Sequence, residues 1–228
     1  MEEVIRQHKD LRIAIVGNGY LGKSLADSLK DLNWADDLLQ VITRENIDSI
    51  KDREFDILFY CAGLTGDYRK NIHNTVDSNL VFLSRVLKYF TIRKNFVLLS
   101  STRVYGFSSG KGILFKESDP INTHDHLALE NFYDQVKMMQ ESFCFNYPGL
   151  PGLAILRLSN VYGRFEKGSM DDSTFLKYLI RMSGKDELIE SDQSADSSKD
   201  YIFISDAMEG ILRAGFLNKG KNVFNIAS

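Results

Sequence analysis

Residues 11–22, LRIAIVGNGYLG, join an apolar run to a glycine-rich turn. A continuous apolar run that ends at glycine is typical of a parallel strand buried on both faces. After the turn, leucines at positions 21, 25, 29 and 32 recur with the spacing of one helix face. A buried strand, a G-x-G-x-x-G turn and an amphipathic helix together predict the first unit of a doubly wound sheet.

The remaining chain repeats this alternation of apolar strands and amphipathic helices. It predicts an α/β protein of Rossmann type, with a doubly wound parallel sheet that binds ligands at the carboxyl ends of its strands. We expect residues 1–163 to form the nucleotide-binding domain, 164–205 a small, truncated substrate-binding region, and 206–228 a return to the same sheet. Further strands are predicted at 38–43, 55–62, 95–100, 153–158, 201–204 and 222–227, and later helices at 175–182 and 206–217.

The segments between these elements give further expectations. Residues 44–54 are polar and short, with room for little more than one helical turn. The helix that contains Tyr133 is predicted to start near Thr123 or Asp125, either of which could cap it, and to end before Pro148. Residues 190–199 are polar and lack periodicity, which predicts a loop.

Composition excludes several classes of protein. The chain of 228 residues is 43% apolar and 26% charged with a net charge of −3, which gives no electrostatic reason to expect nucleic acid as a partner. No apolar run approaches the roughly 20 residues that span a bilayer, and the acidic start lacks a secretory signal, so we expect a cytoplasmic protein without a membrane partner. His124 and His126 are interpreted as solvated residues near a helix start, and no metal site is predicted.

The glycine turn has the composition of a dinucleotide-binding loop. Gly17 permits a tight turn, Gly19 lets the backbone approach a pyrophosphate, and Gly22 lets the helix pack on the strand. The helix N-terminus favours negative charge. The alternative is a glycine turn that joins strand to helix without a ligand. The predicted cofactor-binding residues in this segment are Gly17, Asn18, Gly19, Tyr20 and Leu21.

The end of the second predicted strand bears on the choice of cofactor. An acidic residue at this position binds the ribose 2′-hydroxyl, whereas an arginine accommodates a 2′-phosphate. The strand ends at Thr43 and Arg44, whereas the acidic pair Asp36-Asp37 precedes it. NADP is therefore favoured, with Thr43 and Arg44 as phosphate ligands, and NAD stays possible. The alternative is that Arg44 is a solvated surface charge or stacks on the adenine.

Tyr133 and Lys137 are the candidate chemical centre. Residues four apart lie on the same face of a helix, and Ser101 ends a strand about thirty residues earlier. A free tyrosine has a pKa near 10, and a neighbouring ammonium group favours its phenolate. Ser101 would hydrogen-bond the substrate oxygen, while Lys137 could also hold the ribose of the cofactor. Taken alone, a Tyr-x-x-x-Lys pair is usually a helix surface pair.

Five further segments, in order along nearly the whole chain, give this sequence a family resemblance. The chain resembles the extended short-chain dehydrogenase/reductases, in the branch of nucleotide-sugar epimerases, dehydratases and 4-keto-reductases. Besides the glycine loop and Tyr133/Lys137, the segments that carry the likeness are CAG at 61–63, LSSTRVYG at 99–106, LRLSNVYG at 156–163, KDYIFISD at 199–206 and FNIAS at 224–228.

The resemblance implies roles for individual residues. Ser101 aligns with the catalytic serine or threonine, Tyr133 with the acid/base and Lys137 with its partner. The same alignment implies cofactor contacts at Cys61, Ala62, Gly63, Ser100, Leu158 and Ser159, in addition to Tyr133 and Lys137. It implies substrate contacts at Thr102, Arg103, Asn160, Arg164 and Lys199.

Departures from the family pattern limit which of the family's activities we expect. Relatives that dehydrate sugars carry Thr-Asp-Glu where this chain has Ser101-Thr102-Arg103, so a 4,6-dehydratase is disfavoured. Lys199 replaces the arginine that binds the diphosphate and lacks its bidentate fork. We expect an NAD(P)-dependent sugar reductase or epimerase, with a leaning to a 4-keto-reductase. The alternative is a non-catalytic cofactor-binding regulatory or scaffold protein, which the shortness of the chain at its C-terminus favours.

The resemblance also implies a homodimer, formed through two helices of each subunit. These would be the helix that contains Leu80 and the helix that contains Tyr133, with apolar side chains such as Phe82 and Met138 on their outer faces.

Overall fold

A computed structural model describes residues 2–63, 68–106, 114–121, 125–163, 182–183 and 199–228. The predicted substrate-binding residue Arg164 lies outside these ranges. So do the polar segment 190–198 and, apart from Met182, the helix predicted over 175–182.

The core of the fold is a parallel β-sheet. The strands of the described residues are β1 (Ile13–Val16), β2 (Leu39–Ile42), β3 (Glu54–Tyr60), β4 (Thr91–Ser101), β5 (Leu153–Leu158), β6 (Asn160–Tyr162), β7 (Tyr201–Phe203) and β8 (Lys221–Ile226). The main sheet has the order β2-β1-β3-β4-β5-β8. Strands β6 and β7 pair separately, in parallel, as a small second sheet that the sequence did not predict.

Helices cover both faces of the main sheet. The side chains of β1 alternate between two apolar clusters, with Ile13 and Ile15 in one and Ala14 and Val16 in the other. The helices of the described residues are α1 (Glu2–Arg6), α2 (Tyr20–Asp31), α3 (Ile72–Val76), α4 (Phe82–Tyr89), α5 (Phe132–Asn146) and α6 (Ile204–Leu217). The first cluster includes buried residues of α2 and α6, and the second includes those of α4 and α5.

Strand order creates a crevice at the carboxyl ends of β1 and β3. From β1 the chain runs to β2 on one side, and then returns to β3 on the other. Such a switch in direction is where doubly wound sheets bind ligands. The short segment between β2 and β3 holds a single 3₁₀ turn (Ile47–Ser49), as the length of residues 44–54 led us to expect.

The start of the Tyr133 helix was predicted wrongly. We expected it near Thr123 or Asp125, but α5 begins at Phe132, after a 3₁₀ turn at Leu129–Asn131. The side chain of Asp125 instead accepts a hydrogen bond from the Leu127 amide at 3.0 Å, and so caps a separate turn. Thr123 lies outside the described residues. The helix ends before Pro148, as predicted.

The helix predicted around Leu80 is interrupted by a π-helical turn, Asp77–Val81, between α3 and α4. The placement of Phe82 on an outer face was wrong. Phe82 begins α4 and is buried in the core, with its ring 6.4 Å from that of Tyr60. Met138 is half-buried. None of the helices in the described ranges is both long and apolar enough to cross a membrane.

Candidate active site

The loop from β1 to α2 has the shape of a phosphate cradle. Gly17 has φ +102°, and a Cβ on it would lie 2.8 Å from the Ala62 nitrogen. A Cβ on Gly22 would lie 2.1 Å from the Gly17 oxygen, so the helix packs here because that residue is glycine. A Cβ on Gly19 would meet nothing within 4 Å, and α2 begins there without a side-chain cap. The amides of its first turn are therefore suited to an anion.

Two residues follow β2 at the rim of this crevice. The amide of Thr43 donates to Asn46 Oδ1 at 2.8 Å. Arg44 Nη1 lies 3.4 Å from Asp77 Oδ2, with both side chains about half exposed. The next residue, Glu45, is acidic, and a hydrogen bond with the Thr43 side chain is the main cause that lowers its pKa. This rim thus presents both an arginine and a carboxylate to solvent.

Residues 61–63 form the opposite wall of the crevice. The Cys61 amide donates to the Val16 oxygen at 2.8 Å, which holds the end of β3 against β1. Burial raises the pKa of the Cys61 thiol to about 12, so the sulfur is neutral and serves as an apolar contact. Ala62 contacts the Gly17 turn, whereas Gly63 lies next to Lys137, since a Cβ on Gly63 would lie 3.6 Å from Lys137 Nζ.

Helix α5 presents Tyr133 and Lys137 on one buried face, 5% and 4% exposed. Lys137 Nζ donates to the Leu99 oxygen of β4 at 3.1 Å and lies 5.7 Å from the centroid of the Tyr133 ring. Burial lowers the pKa of Lys137 to about 8, while the nearby Glu141 opposes this change. The ammonium thus stands between a strand end, a tyrosine ring and the glycine wall of the crevice.

Burial is also the main influence on Tyr133, whose pKa it raises above the ordinary value. The Arg103 guanidinium acts in the opposite direction, whereas Asp134 and Tyr68 add to the increase. At neutral pH the side chain is a phenol that carries its proton. A group in this state is ready to act as a general acid when an oxygen acceptor enters the site.

Three hydroxyl residues at the end of β4 face different directions. Ser101 is half-buried, and its Oγ accepts a hydrogen bond from the Arg103 amide at 3.2 Å. Thr102 Oγ1 donates to the Leu158 oxygen at 3.4 Å. The Ser100 hydroxyl lies on the other face of the strand and donates to Glu141 Oε1 at 2.5 Å. Any cofactor contact of Ser100 therefore falls to its main chain.

The guanidinium of Arg103 is held in place by neighbouring polar groups. Its Nε donates to Asp134 Oδ1 at 2.7 Å, and its Nη2 donates to the Glu130 oxygen at 3.1 Å and the Tyr68 hydroxyl at 3.3 Å. These contacts already occupy much of the guanidinium that was predicted to bind substrate.

The remaining predicted residues lie at the end of β5 and along the segments that form the small second sheet. Leu158 is buried in the core, and the Ser159 amide donates to the Ile226 oxygen at 3.0 Å. The Ser159 hydroxyl is buried and has no hydrogen-bond partner among the described residues. Asn160 Nδ2 donates to the Asp200 oxygen at 2.9 Å, so its side chain joins β6 to the segment before β7. Lys199 is exposed in that same segment.

Two buried amide side chains at the site were missed from the sequence. Asn79 lies in the π-helical turn, and its Oδ1 has no partner among the described residues. A Cβ on Gly63 would lie 2.6 Å from that oxygen. Gln140 Nε2 donates to the Asn79 main-chain oxygen at 2.5 Å. In the sequence, the indication of Asn79 was a polar residue next to Leu80 in a helix with an apolar face. The structure places Asn79 in a π-helical turn, and such turns are frequent at functional sites.

The geometry brings a glycine-rich turn between strand and helix, and a tyrosine–lysine pair, to one edge of a doubly wound sheet. The profile of the NAD dependent epimerase/dehydratase family matches residues 13–227. The chain belongs to this family. Membership agrees with the resemblance inferred from the sequence motifs.

Individual relatives are more distant. The chain is 27% identical over 190 residues to an uncharacterized protein of Methanocaldococcus jannaschii, covering 80% of this chain and 54% of that protein. It is 31% identical over 125 residues to dTDP-4-dehydro-6-deoxyglucose reductase of Escherichia coli, covering 54% of this chain and 39% of that enzyme. The chain thus spans about half or less of these two curated relatives.

Among solved structures, MoeE5 in complex with UDP-glucose and NAD has the same fold. The TM-score is 0.76 at 19% identity, and the alignment covers 95% of this chain and 76% of that one. At this identity the likeness shows the doubly wound architecture of the family.

Proposed function

We propose that this member of the family is an NAD(P)-dependent oxidoreductase that acts on a hydroxyl or keto carbon of a nucleotide-linked sugar. The observation that carries the proposal is the position of Lys137 Nζ. It lies 5.7 Å from the Tyr133 ring centroid and 3.6 Å from the Cβ position of Gly63, which follows the strand beside the glycine turn. A proton donor and a lysine therefore stand next to the predicted cofactor crevice.

The chain's residues fit a dinucleotide. The amides from Gly17 to Leu21 would hold the diphosphate, and the 61–63 segment would line the crevice. Thr43 and Arg44 would hold a 2′-phosphate, and this supports NADP over NAD. When bound, the nicotinamide supplies a hydride to a carbonyl carbon or accepts one from an alcohol.

We assign to Tyr133 the transfer of the proton to and from the substrate oxygen. In reduction its hydroxyl gives a proton to the carbonyl oxygen as the carbon gains the hydride, and the product is an alcohol. In oxidation the phenolate takes that proton back. The Lys137 ammonium stabilises the phenolate left after reduction, because opposite charges close together favour the charged form. The Ser101 hydroxyl orients the same substrate oxygen.

The substrate class and the reductase direction rest on one relative and on Arg44. The Escherichia coli relative is named as a reductase of a dTDP-linked 4-keto sugar, and Arg44 favours the phosphorylated cofactor. We therefore place 4-keto-reduction first and epimerisation second. A homodimer stays a prediction from the family resemblance.

The first experiment tests whether the protein binds a nicotinamide cofactor and which of the two it prefers. The purified protein is titrated with NADPH and with NADH, following nicotinamide fluorescence, and the titrations are repeated with Arg44→Ala. We expect NADPH to bind more tightly, and the variant to weaken NADPH binding about tenfold while leaving NADH unchanged. Arg85→Ala is the matched control, because Arg85 is also a surface arginine paired with an aspartate. Absence of binding by either nucleotide would overturn the proposal.

The second experiment tests turnover with dTDP-4-dehydro-6-deoxyglucose as the probe. NADPH oxidation is expected, with a loss of about 10²–10⁴-fold in kcat for Tyr133→Phe, the range for removal of a general acid. Equal rates for the native protein and the variant would show that Tyr133 is not the acid.

One observation favours a second candidate function, a cofactor-binding protein without turnover. Tyr133 is only 5% exposed, and Tyr68 and Arg103 lie against its ring. Tight nucleotide binding without hydride transfer to a panel of nucleotide-linked keto sugars would support this alternative over the oxidoreductase.

A further inference from the structure

A second cation lies beside Tyr133, and it comes from a different element than Lys137. Arg103 belongs to the 3₁₀ turn Thr102–Tyr105 that follows β4. Its guanidinium carbon lies 5.4 Å from the centroid of the Tyr133 ring and 5.4 Å from that of Tyr68. The two rings are themselves 5.6 Å apart. A guanidinium at this distance from an aromatic ring is within the range of cation–π attraction.

Asp134 fixes this guanidinium in place. The carboxylate follows Tyr133 in α5, is 1% exposed and accepts from Arg103 Nε at 2.7 Å. On the opposite side, Nη2 donates to the Glu130 oxygen and the Tyr68 hydroxyl. The side chain is thus oriented by α5, by the turn before it and by the segment after β3. Arg103 is 32% exposed, so one part of it reaches solvent.

We propose that Arg103 is a positioning residue for Tyr133, which holds a permanent positive charge against the tyrosine while the buried carboxylate of Asp134 keeps that charge in place. The inference rests on the proposed function for its use in catalysis. The electrostatic effect itself is a property of the folded protein without substrate.

The two partners of the ion pair act on Tyr133 in opposite directions. Arg103 lowers the pKa of the Tyr133 phenol, whereas Asp134 and the Tyr68 hydroxyl raise it. Glu130 contributes its main-chain oxygen to this cluster and extends an exposed side chain.

Lys137 supplies a charge of a different kind. Burial lowers its pKa to about 8, and the groups that act on it are Glu141, Cys144 and Cys61. Its charge therefore falls as the pH rises through 8, while an arginine stays protonated at every pH at which the protein is folded. Arg103 would preserve the positive field at Tyr133 where Lys137 has lost its proton.

The test measures the ionisation of Tyr133 directly. The chain's ten tyrosines are replaced by 3,5-difluorotyrosine, a more acidic phenol, and titrated by ¹⁹F NMR. The Tyr133 resonance is assigned from its loss in Tyr133→Phe. Three variants are compared with the native protein, namely Arg103→Gln, Arg103→Lys and Asp134→Asn, and each is checked for folding by circular dichroism. Arg213→Gln is the matched control, since that arginine pairs with Glu209 on α6, a helix that packs in the other apolar cluster.

The expected shifts have opposite signs. Arg103→Gln raises the Tyr133 titration midpoint by about one pH unit, and Arg103→Lys restores most of that difference. Asp134→Asn lowers the midpoint, because it removes a negative charge and keeps an oxygen that can accept from Arg103. Arg213→Gln leaves it unchanged.

Two results would overturn the inference. One is an unchanged midpoint in Arg103→Gln, and the other is a shift in Arg103→Lys as large as that in Arg103→Gln. If Asp134→Asn does not fold, the two Arg103 variants decide alone, since both change a side chain that is 32% exposed. The titration needs no substrate, so the predicted shifts in a protein without hydride transfer would uphold the inference and remove the proposed function.

Discussion

Helix α5 carries two carboxylate–arginine pairs, one on each side of Lys137 along the helix. In one pair Arg103 lies 2.7 Å from Asp134, and in the other Arg157 lies 2.8 Å from Glu141. Both carboxylates are buried. The arginines differ, because Arg157 is 6% exposed whereas Arg103 is 32% exposed.

The partners of the two arginines explain this difference. Arg157 lies in β5 and also donates to the Tyr105 hydroxyl at 2.8 Å, while Glu141 accepts from Ser100 of β4. That pair ties α5 to two strands and is enclosed by them. The Arg103 pair instead lies against the ring of the candidate general acid. The same chemistry therefore serves stability where it is enclosed and electrostatic tuning where it borders the cleft.

Removal of the enclosed carboxylate gives the largest expected effect on stability. Glu141→Ala leaves the Arg157 guanidinium buried without a counter-ion, so the free energy of unfolding should fall by about 3–5 kcal/mol. Urea denaturation followed by circular dichroism measures the change. A loss below about 1 kcal/mol would contradict the view that this pair is structural.

Removal of the carboxylate from the pair whose arginine is partly exposed should cost less. In Asp134→Ala, Arg103 can turn toward water, so the expected loss is about 1–2 kcal/mol in the same denaturation experiment. The comparison fails if Asp134→Ala is as damaging as Glu141→Ala.

The lysine between the pairs predicts a pH dependence. The pKa of Lys137 is about 8 in the folded protein, against an ordinary value of 10.5. Between these values the unfolded chain binds the proton that the folded chain has released, so this residue makes stability rise with pH. The native protein should gain about 1 kcal/mol relative to Lys137→Met between pH 8 and pH 9. A constant difference across that interval would show that Lys137 is not desolvated.

The smallest expected change concerns Ser100. Ser100→Ala removes the hydroxyl that donates to Glu141, which should lower the free energy of unfolding by about 0.5–1.5 kcal/mol. Because the hydroxyl faces away from the cleft, the Kd for NADPH should not change. A higher Kd in fluorescence titration would instead show that the Ser100 side chain contacts the cofactor.

The arrangement of the first strand and helix was predictable because β1 is continuously apolar. Residues 13–16 are buried on both faces, and the leucines of α2 mark the side that packs. The start of α5 was not predictable, since Asp125 caps its own turn seven residues before the helix begins. Local capping chemistry cannot distinguish a turn from a helix.

The candidate site was predictable in its motifs and not in its contacts. Tyr133 and Lys137 follow from helical spacing, but the packing of Tyr68 on Tyr133 joins residues 65 positions apart. The orientation of Ser100 could have been predicted, because adjacent residues of a strand point to opposite faces. Ser101 was already predicted to face the substrate oxygen, so Ser100 should point away from it. The orphan oxygen of Asn79 depends on the π-helical turn, for which the sequence has no simple pattern.

The position of β8 has a consequence for synthesis. This strand pairs with β5, yet about sixty residues separate the two in the chain. At about 5–20 residues per second, the outer edge of β5 stays unpaired on the ribosome for roughly 3–12 seconds. During that interval an apolar strand, LAILRL, presents a row of open hydrogen-bonding groups to other chains. The nascent protein therefore exposes an unpaired apolar strand edge, which can aggregate or bind a chaperone, until β8 is synthesised and pairs with β5.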